Sequence, residues 1–227
     1  MAYMVILINL QLGYQKHFFN NPYLTCRSGV MKEKFEEIVE SFIANKVGIS
    51  DLFLTGALAA LLQQHIHRLQ EGGLMVSAGI GNNTTQDHDK KIRGDKIHWL
   101  DKKNKHTDEL GFLEHVEDFI DYLNKTCYTG INAYEFHYAL YEQGSFYKRH
   151  KDQFRNDSNR KYSLISYLNE DWLEADGGQL WVHQEGETQK IMPTSRKAVF
   201  FQSKELEHEV TTAMRPRMSV TGWLKRV

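Results

Sequence analysis

The stretch YKRHKDQF, residues 147–154, sets a histidine and an aspartate two apart among charged neighbours. On an extended strand, residues i and i+2 point to the same face, so the His150 imidazole and the Asp152 carboxylate can converge on one cation. A pair of this kind arises readily by chance, and a second one, His106-Thr107-Asp108, is present. That second pair falls at an expected helix start, where Thr107 and Asp108 serve as cap and as favourable charge for the helix dipole. The residues downstream distinguish the two pairs. A series of strand-like runs comes after His150, and then His208 in LEHEVTT. Two imidazoles and one carboxylate on one face make the facial triad that holds a ferrous ion and leaves coordination positions open. Those positions suit a bidentate cosubstrate and dioxygen. The far end of a charged cosubstrate then needs a cation. Arg217, nine residues after His208 and just beyond Pro216, falls at the spacing of the next antiparallel strand. Its planar fork can grip a carboxylate through two parallel hydrogen bonds. The same offset from His115, His137 and His183 reaches Asn124, Phe146 and Met192, none of them basic.

These side chains must be carried by a scaffold, and the chain changes character midway. Its 227 residues, 41% apolar and 12% aromatic, suit one globular domain. Only Pro22, Pro193 and Pro216 occur, and no Pro/Gly/Ser linker divides the chain. The first half reads as helical. In MKEKFEEIVESFIANK, Phe35, Ile38, Val39, Phe42 and Ile43 follow the helical apolar spacing. VGISDLFL alternates like a short strand. Thr55 then caps a helix through Leu69, with Leu58, Leu61, Leu62, His65 and Leu69 on its inner side and EGG as its stop. A third helix after Thr107 buries Leu110, Leu113, Val116, Ile120 and Leu123. From INAYEFHYALY onward the period is two. Tyr134, Phe136, Tyr138 and Leu140 share one face, and Glu135, His137, Ala139 and Tyr141 the other. YSLISYL, GQLWVH, QKIMP, KAVFFQ, EHEVTT and RMSVTGWL continue as short strands. Helices followed by many short strands predict an α+β fold, a curved antiparallel sheet or barrel backed by helices. Between the halves lies the polar GIGNNTTQDHDKKIRGDKIHWL, long for a connection and read from composition as either a disordered loop or a functional lid.

With these residues in place, the sequence resembles the Fe(II)/2-oxoglutarate dioxygenases, and within them the prolyl hydroxylase branch of the animal oxygen-sensing enzymes and their bacterial relatives. The resemblance covers about residues 75–224 and rests on IRGDKIHWL, YEQGSFYKRHKD, SLISYLNEDW with GGQLWV, and HEVTTAMRPRMSVTGW. It implies a double-stranded β-helix core of the jelly-roll type over residues 131–227, helical support over 31–125, and an N-terminal extension, 1–30, of unassigned role. It implies His150, Asp152 and His208 as iron ligands, and Arg217 and the Tyr167 hydroxyl on the far carboxylate of 2-oxoglutarate, with Thr221 close by. Tyr141 would line the cosubstrate pocket, and Ile165, Leu180 and Val210 its apolar walls. Asp95 and Arg160 match a pair that ties a mobile loop to the core. Tyr147 and Trp223 match residues of the substrate groove. His137 departs from the pattern, standing where the relatives carry an apolar pocket residue, and a core role competes with one in the pocket.

The implied activity is hydroxylation of a prolyl residue in a protein, a translation factor such as elongation factor Tu among the candidates. Iron, 2-oxoglutarate and dioxygen would be consumed or bound, with ascorbate as reductant, and residues 81–98 would close over the peptide. Oxygenase chemistry on a small molecule or nucleobase, and a non-catalytic binding module, are the rival readings. Balanced charge, 28 basic against 29 acidic residues, disfavours a nucleic-acid groove. MVILINLQLG is too short to span a bilayer and lacks signal-peptide flanks. Cys26 and Cys127 read as free thiols, so the cytosol is the expected compartment. The chain ends at Val227, so substrate contacts from a longer tail are not expected.

Overall fold

The fold follows from strands that are apolar on both faces. The computed structural model describes residues 22–79, 92–101, 103, 106–152 and 159–227, with side chains from residue 31 onward. Its elements run α1 (Pro22–Asn45), β1 (Val47–Ser50), α2 (Gly56–Glu71), β2 (Val76–Ser77), β3 (Lys96–Trp99), α3 (Thr107–Cys127), β4 (Ala133–Tyr141) and β5 (Tyr147–His150). Then come β6 (Arg160–Tyr167), a 3-10 turn (Glu174–Asp176), β7 (Leu180–Gln184), β8 (Glu187–Ile191), β9 (Ala198–Gln202), β10 (Glu207–Val210) and β11 (Arg217–Lys225). They build a seven-stranded sheet in the order β1-β9-β6-β11-β4-β3-β2 and a four-stranded sheet in the order β5-β10-β7-β8. Every strand pairing is antiparallel. The result is an α+β, jelly-roll-type architecture.

β4 shows the division of labour. Phe136, Tyr138 and Leu140 point into one core, where they meet Leu62 and Ile66 of α2 and Phe112, Val116 and Phe119 of α3. Ala139 and Tyr141 point the other way, into a second core shared with Ile165, Tyr167 and Phe201 of the large sheet and Leu180, Val182 and Val210 of the small one. The period of two thus sends alternate residues to helices and to the inter-sheet space. The site lies in that second space.

Several expectations shift. α1 starts at Pro22, so the boundary placed at residue 30 falls inside a helix. Proline suits a first helical position, since its missing N–H would be unpaired there anyway. The helical half also supplies β1, β2 and β3 to the large sheet, and only Val47–Ser50 of VGISDLFL is strand. Ile43 is 73% exposed and Leu61 42% exposed, while Ala59 and Ile66 take the inner face of α2. Thr55 does cap α2, its hydroxyl accepting from Leu58 N at 3.2 Å. His106, not Thr107, stands at the cap position of α3 and makes no side-chain cap. Residues 80–91 of the expected lid lie outside the described residues. Its C-terminal part is fixed, because Lys96–Trp99 pairs with β4.

Close sheet packing leaves a steric mark at Gly222 on β11. A Cβ there would collide with the Glu135 carbonyl oxygen and the Phe136 ring on the neighbouring strand. Gly222→Ala is therefore expected to destabilise the fold by about 2–4 kcal/mol, read as a lower urea midpoint at unchanged slope.

Candidate active site

β5 and β10 pair so that His150 stands opposite His208. The two rings lie 4.3 Å apart. Asp152 sits just beyond the end of β5, where the chain bends, rather than on the strand itself. The bend still brings its Oδ1 to 3.6 Å from Nε2 of both histidines. At that separation no proton is shared, and the three ligand atoms all lie within 4.8 Å of one another. His150 Nδ1 lies 2.7 Å from the Lys148 carbonyl oxygen, and His208 Nδ1 lies 3.4 Å from that of Leu206. A carbonyl only accepts, so each Nδ1 carries the hydrogen and each neutral Nε2 keeps a lone pair directed at the cluster.

The Ser163 hydroxyl donates to Asp152 Oδ2 at 2.6 Å, and Ser203 Oγ lies 2.9 Å from Ser163 Oγ. One carboxylate oxygen is thereby anchored and the other left free. Burial raises the Asp152 carboxyl, but His208 and His150 beside it hold it well below the usual carboxylate range. Burial lowers His208, yet the Asp152 charge outweighs this and raises it. Burial and the neighbouring His208 lower His150. A divalent cation takes the neutral imidazole as its ligand, so protonation of His208, which Asp152 favours, would oppose metal binding.

A cavity of about 130 Å³ opens from this cluster, and its lining includes Arg217, Tyr141, Thr221, Ile165, Leu180 and Val210. Arg217 is 2% exposed. Its Nε donates to the Gly178 carbonyl at 2.7 Å, and Gly178, at φ +61°, lets the backbone approach the arginine side chain. Among the described residues no carboxylate comes within ion-pair distance of its guanidinium. The rings of Tyr141 and Tyr167 flank it at 4.8 and 5.0 Å. Tyr167 packs beside the arginine at the cavity's end, with its hydroxyl buried and without a hydrogen-bond partner. Burial pushes that hydroxyl up to about 12, so it is a neutral donor. The donor set therefore fits a ferrous ion, and the unpaired guanidinium with an idle hydroxyl beside it fits the far carboxylate of a diacid.

Toward the mouth, Tyr147 stacks on His150 at 3.5 Å, and Trp223, Trp99 and His137 form a ring cluster. Asp95 and Arg160 both line the cavity but do not pair with each other. Asp95 is held bidentately by Arg93, at 2.7 and 2.6 Å, because two residues apart on an extended segment share a face. Arg160 instead binds Glu135 at 2.8 Å and stacks over Trp223 at 3.5 Å. Ser163, Ser203, Arg93 and Trp99 join the site without having stood out in the sequence. Ser163 was detectable as a polar residue at an inward position of an apolar strand. Ser203 follows a strand end and carried no such signal. His106 lies against His65, away from the metal cluster.

The Ser163 anchor is testable. Ser163→Ala should lower Mn(II) or Co(II) affinity by about tenfold, measured by calorimetric titration, with the circular dichroism spectrum unchanged.

The model of the 2OG-Fe(II) oxygenase superfamily matches residues 136–225. Human Egl nine homolog 1 is 28% identical over 204 residues, covering 85% of this chain and 47% of its own. The chain spans about half the length of the curated relatives it matches. A Pseudomonas putida prolyl-4-hydroxylase structure is 31% identical, with a TM-score of 0.76 over 85% of this chain and 99% of that one. A Trichoplax adhaerens prolyl hydroxylase, in complex with a hypoxia inducible factor oxygen degradation domain peptide fragment, is 25% identical with a TM-score of 0.79, over 88% and 93%. Taken with the His–Asp–His cluster and the jelly-roll framework, these likenesses make the chain a member of the 2OG-Fe(II) oxygenase superfamily, of the prolyl hydroxylase family within it.

Proposed function

We propose that this protein hydroxylates a prolyl residue of a protein substrate, using Fe(II), 2-oxoglutarate and dioxygen. The observation that carries this reading is the buried Arg217 guanidinium, without a carboxylate partner among the described residues, at the far end of a cavity that begins at a His–Asp–His cluster. A buried charge left unpaired is costly, so the site is built for an anion that arrives with function. His150, Asp152 and His208 would hold the iron, which supplies the coupling of 2-oxoglutarate decarboxylation to insertion of an oxygen atom into a C–H bond.

The chain's own residues do the rest. Arg217 and the Tyr167 hydroxyl fix the far carboxylate, so the keto acid end is presented to the metal in one orientation. Ile165, Leu180 and Val210 keep water from the buried charges, which strengthens the arginine–carboxylate contact. Lys148 and Leu206 carbonyls and Ser163 hold the ligands in place. Tyr147, Trp99, Trp223 and Arg160 surround the mouth, where a polypeptide segment would lie. Ascorbate as the reductant and the cytosol as the compartment belong to the same proposal. Cys127 is an exposed free thiol, in keeping with a reducing environment. No helix among the described residues is long and apolar enough to cross a membrane.

The test supplies iron, 2-oxoglutarate and ascorbate with two protein probes, elongation factor Tu and an oxygen degradation domain peptide of hypoxia-inducible factor. Succinate release coupled to the gain of one oxygen mass on a proline is expected for one of them. Failure of both probes, extended to a proteome extract, would count against prolyl hydroxylation. Arg217→Lys should weaken 2-oxoglutarate binding by about 100-fold, because an ammonium cannot reproduce the bidentate grip, and should leave metal affinity within about twofold.

A further inference from the structure

His137 lines the cavity, and neither the metal cluster nor the diacid end employs it. It sits on β4 opposite Thr221 of β11 and Trp99 of β3. Its side chain is buried, and Nδ1 has no hydrogen-bond partner. Burial, then the nearby Arg93, brings the imidazole down to about 4, so it is neutral at physiological pH. A neutral ring can donate or accept a hydrogen bond, and leaving one of its nitrogens unpaired in a dry wall costs about 1–3 kcal/mol. Trp99 and Trp223 flank it at 5.0 and 5.5 Å.

Position decides which ligand the imidazole faces. Tyr141 pairs with Arg217 at the diacid end, and His137 lies four residues earlier on the same strand and face. That is about 13 Å along the strand, beyond reach of the far carboxylate. Trp99, its immediate neighbour, is 46% exposed, so His137 belongs to the open end of the cavity. What enters there is the polypeptide. A proline has no N–H, so the peptide group that precedes it can be read only through its carbonyl oxygen. Indole faces on either side suit a pyrrolidine ring.

We propose that His137 is a specificity-determining residue that donates a hydrogen bond to a substrate carbonyl beside the target proline, between the Trp99 and Trp223 rings. This rests on the prolyl hydroxylase reading. With leucine at this position, the same peptide would bind with its carbonyl unpaired against an apolar wall, and discrimination for that register would fall.

The experiment uses the full chain, Fe(II), 2-oxoglutarate and a library of synthetic peptides, each with one central proline between varied flanks, read by mass spectrometry. A peptide that the wild type oxidises is then remade with a thioamide at each carbonyl flanking the proline, which weakens the acceptor. His137→Leu is expected to raise the peptide KM about tenfold with kcat nearly unchanged, while 2-oxoglutarate affinity, followed by tryptophan fluorescence with Mn(II), stays within about twofold. His137→Gln, which keeps a donor, should recover most of the loss. One thioamide should cost the wild type several-fold and cost His137→Leu nothing. Equal peptide KM values for wild type and His137→Leu, or equal thioamide losses in both, overturn the inference while leaving prolyl hydroxylation standing. A drop in 2-oxoglutarate affinity without a change in peptide KM also overturns it, since His137 would then serve the cosubstrate. If the wild type oxidises no proline in the library, nor in a proteome extract, both readings fall.

Discussion

A full positive charge buried at Arg217, with no carboxylate beside it among the described residues, is the constraint on which the rest of the site depends. Taking a guanidinium out of water costs several kcal/mol, and here the described residues return a carbonyl acceptor and two aromatic faces but no carboxylate. The fold tolerates this because β11 is held on both sides, by β4 and β6, along nearly its whole length. Asn169 adds to that grip, since its side chain pairs with both the N–H and the carbonyl of Met218, the residue after the arginine. The strand cannot swing outward to hydrate its first residue. The energy stored in that unpaired charge is available to an incoming diacid.

The cations of the cavity divide by whether protein neutralises them. At the mouth, Arg93 is closed by Asp95 and Arg160 by Glu135, and their planes lie over Tyr147 and Trp223. These guanidinium groups act as stacked walls more than as free charges. At the bottom, Arg217 stands without a carboxylate among the described residues. A small dianion is thus drawn past paired arginines to an unpaired one, which orders the ligands along the cavity before any chemistry begins.

Much of this was legible in the sequence because it depends on period and on residue type. The alternation in INAYEFHYALY assigned Tyr138 and Tyr141 to opposite faces, and the structure places them in separate cores. His150, His208 and Arg217 were accessible through residue type and strand spacing, whereas Asp152 reaches the cluster through a bend just past β5 that the spacing did not show. Edges were less legible. Ile43 fits the helical stripe of α1 yet is exposed, because the stripe runs past the core. β3 was hidden within a polar run, since KIHW has one aliphatic residue and becomes a strand through its pairing with β4. Asp95 and Arg160 each have another partner: Arg93, two residues from Asp95, shares its face and holds it bidentately, and Glu135 binds Arg160.

The same logic explains why the anchor of Asp152 lies in serines rather than in a charged group. A lysine or arginine on Oδ2 would share the carboxylate's charge and weaken its hold on a cation, while an apolar neighbour would leave that oxygen unpaired in a dry site. A hydroxyl satisfies the oxygen without a net charge, and its partner hydroxyl on Ser203 fixes the direction of the donated hydrogen. The negative charge of Asp152 therefore stays directed toward the two Nε2 atoms. Any substitution at position 163 must keep a small neutral donor to preserve that direction, which is a narrower demand than burial alone would impose.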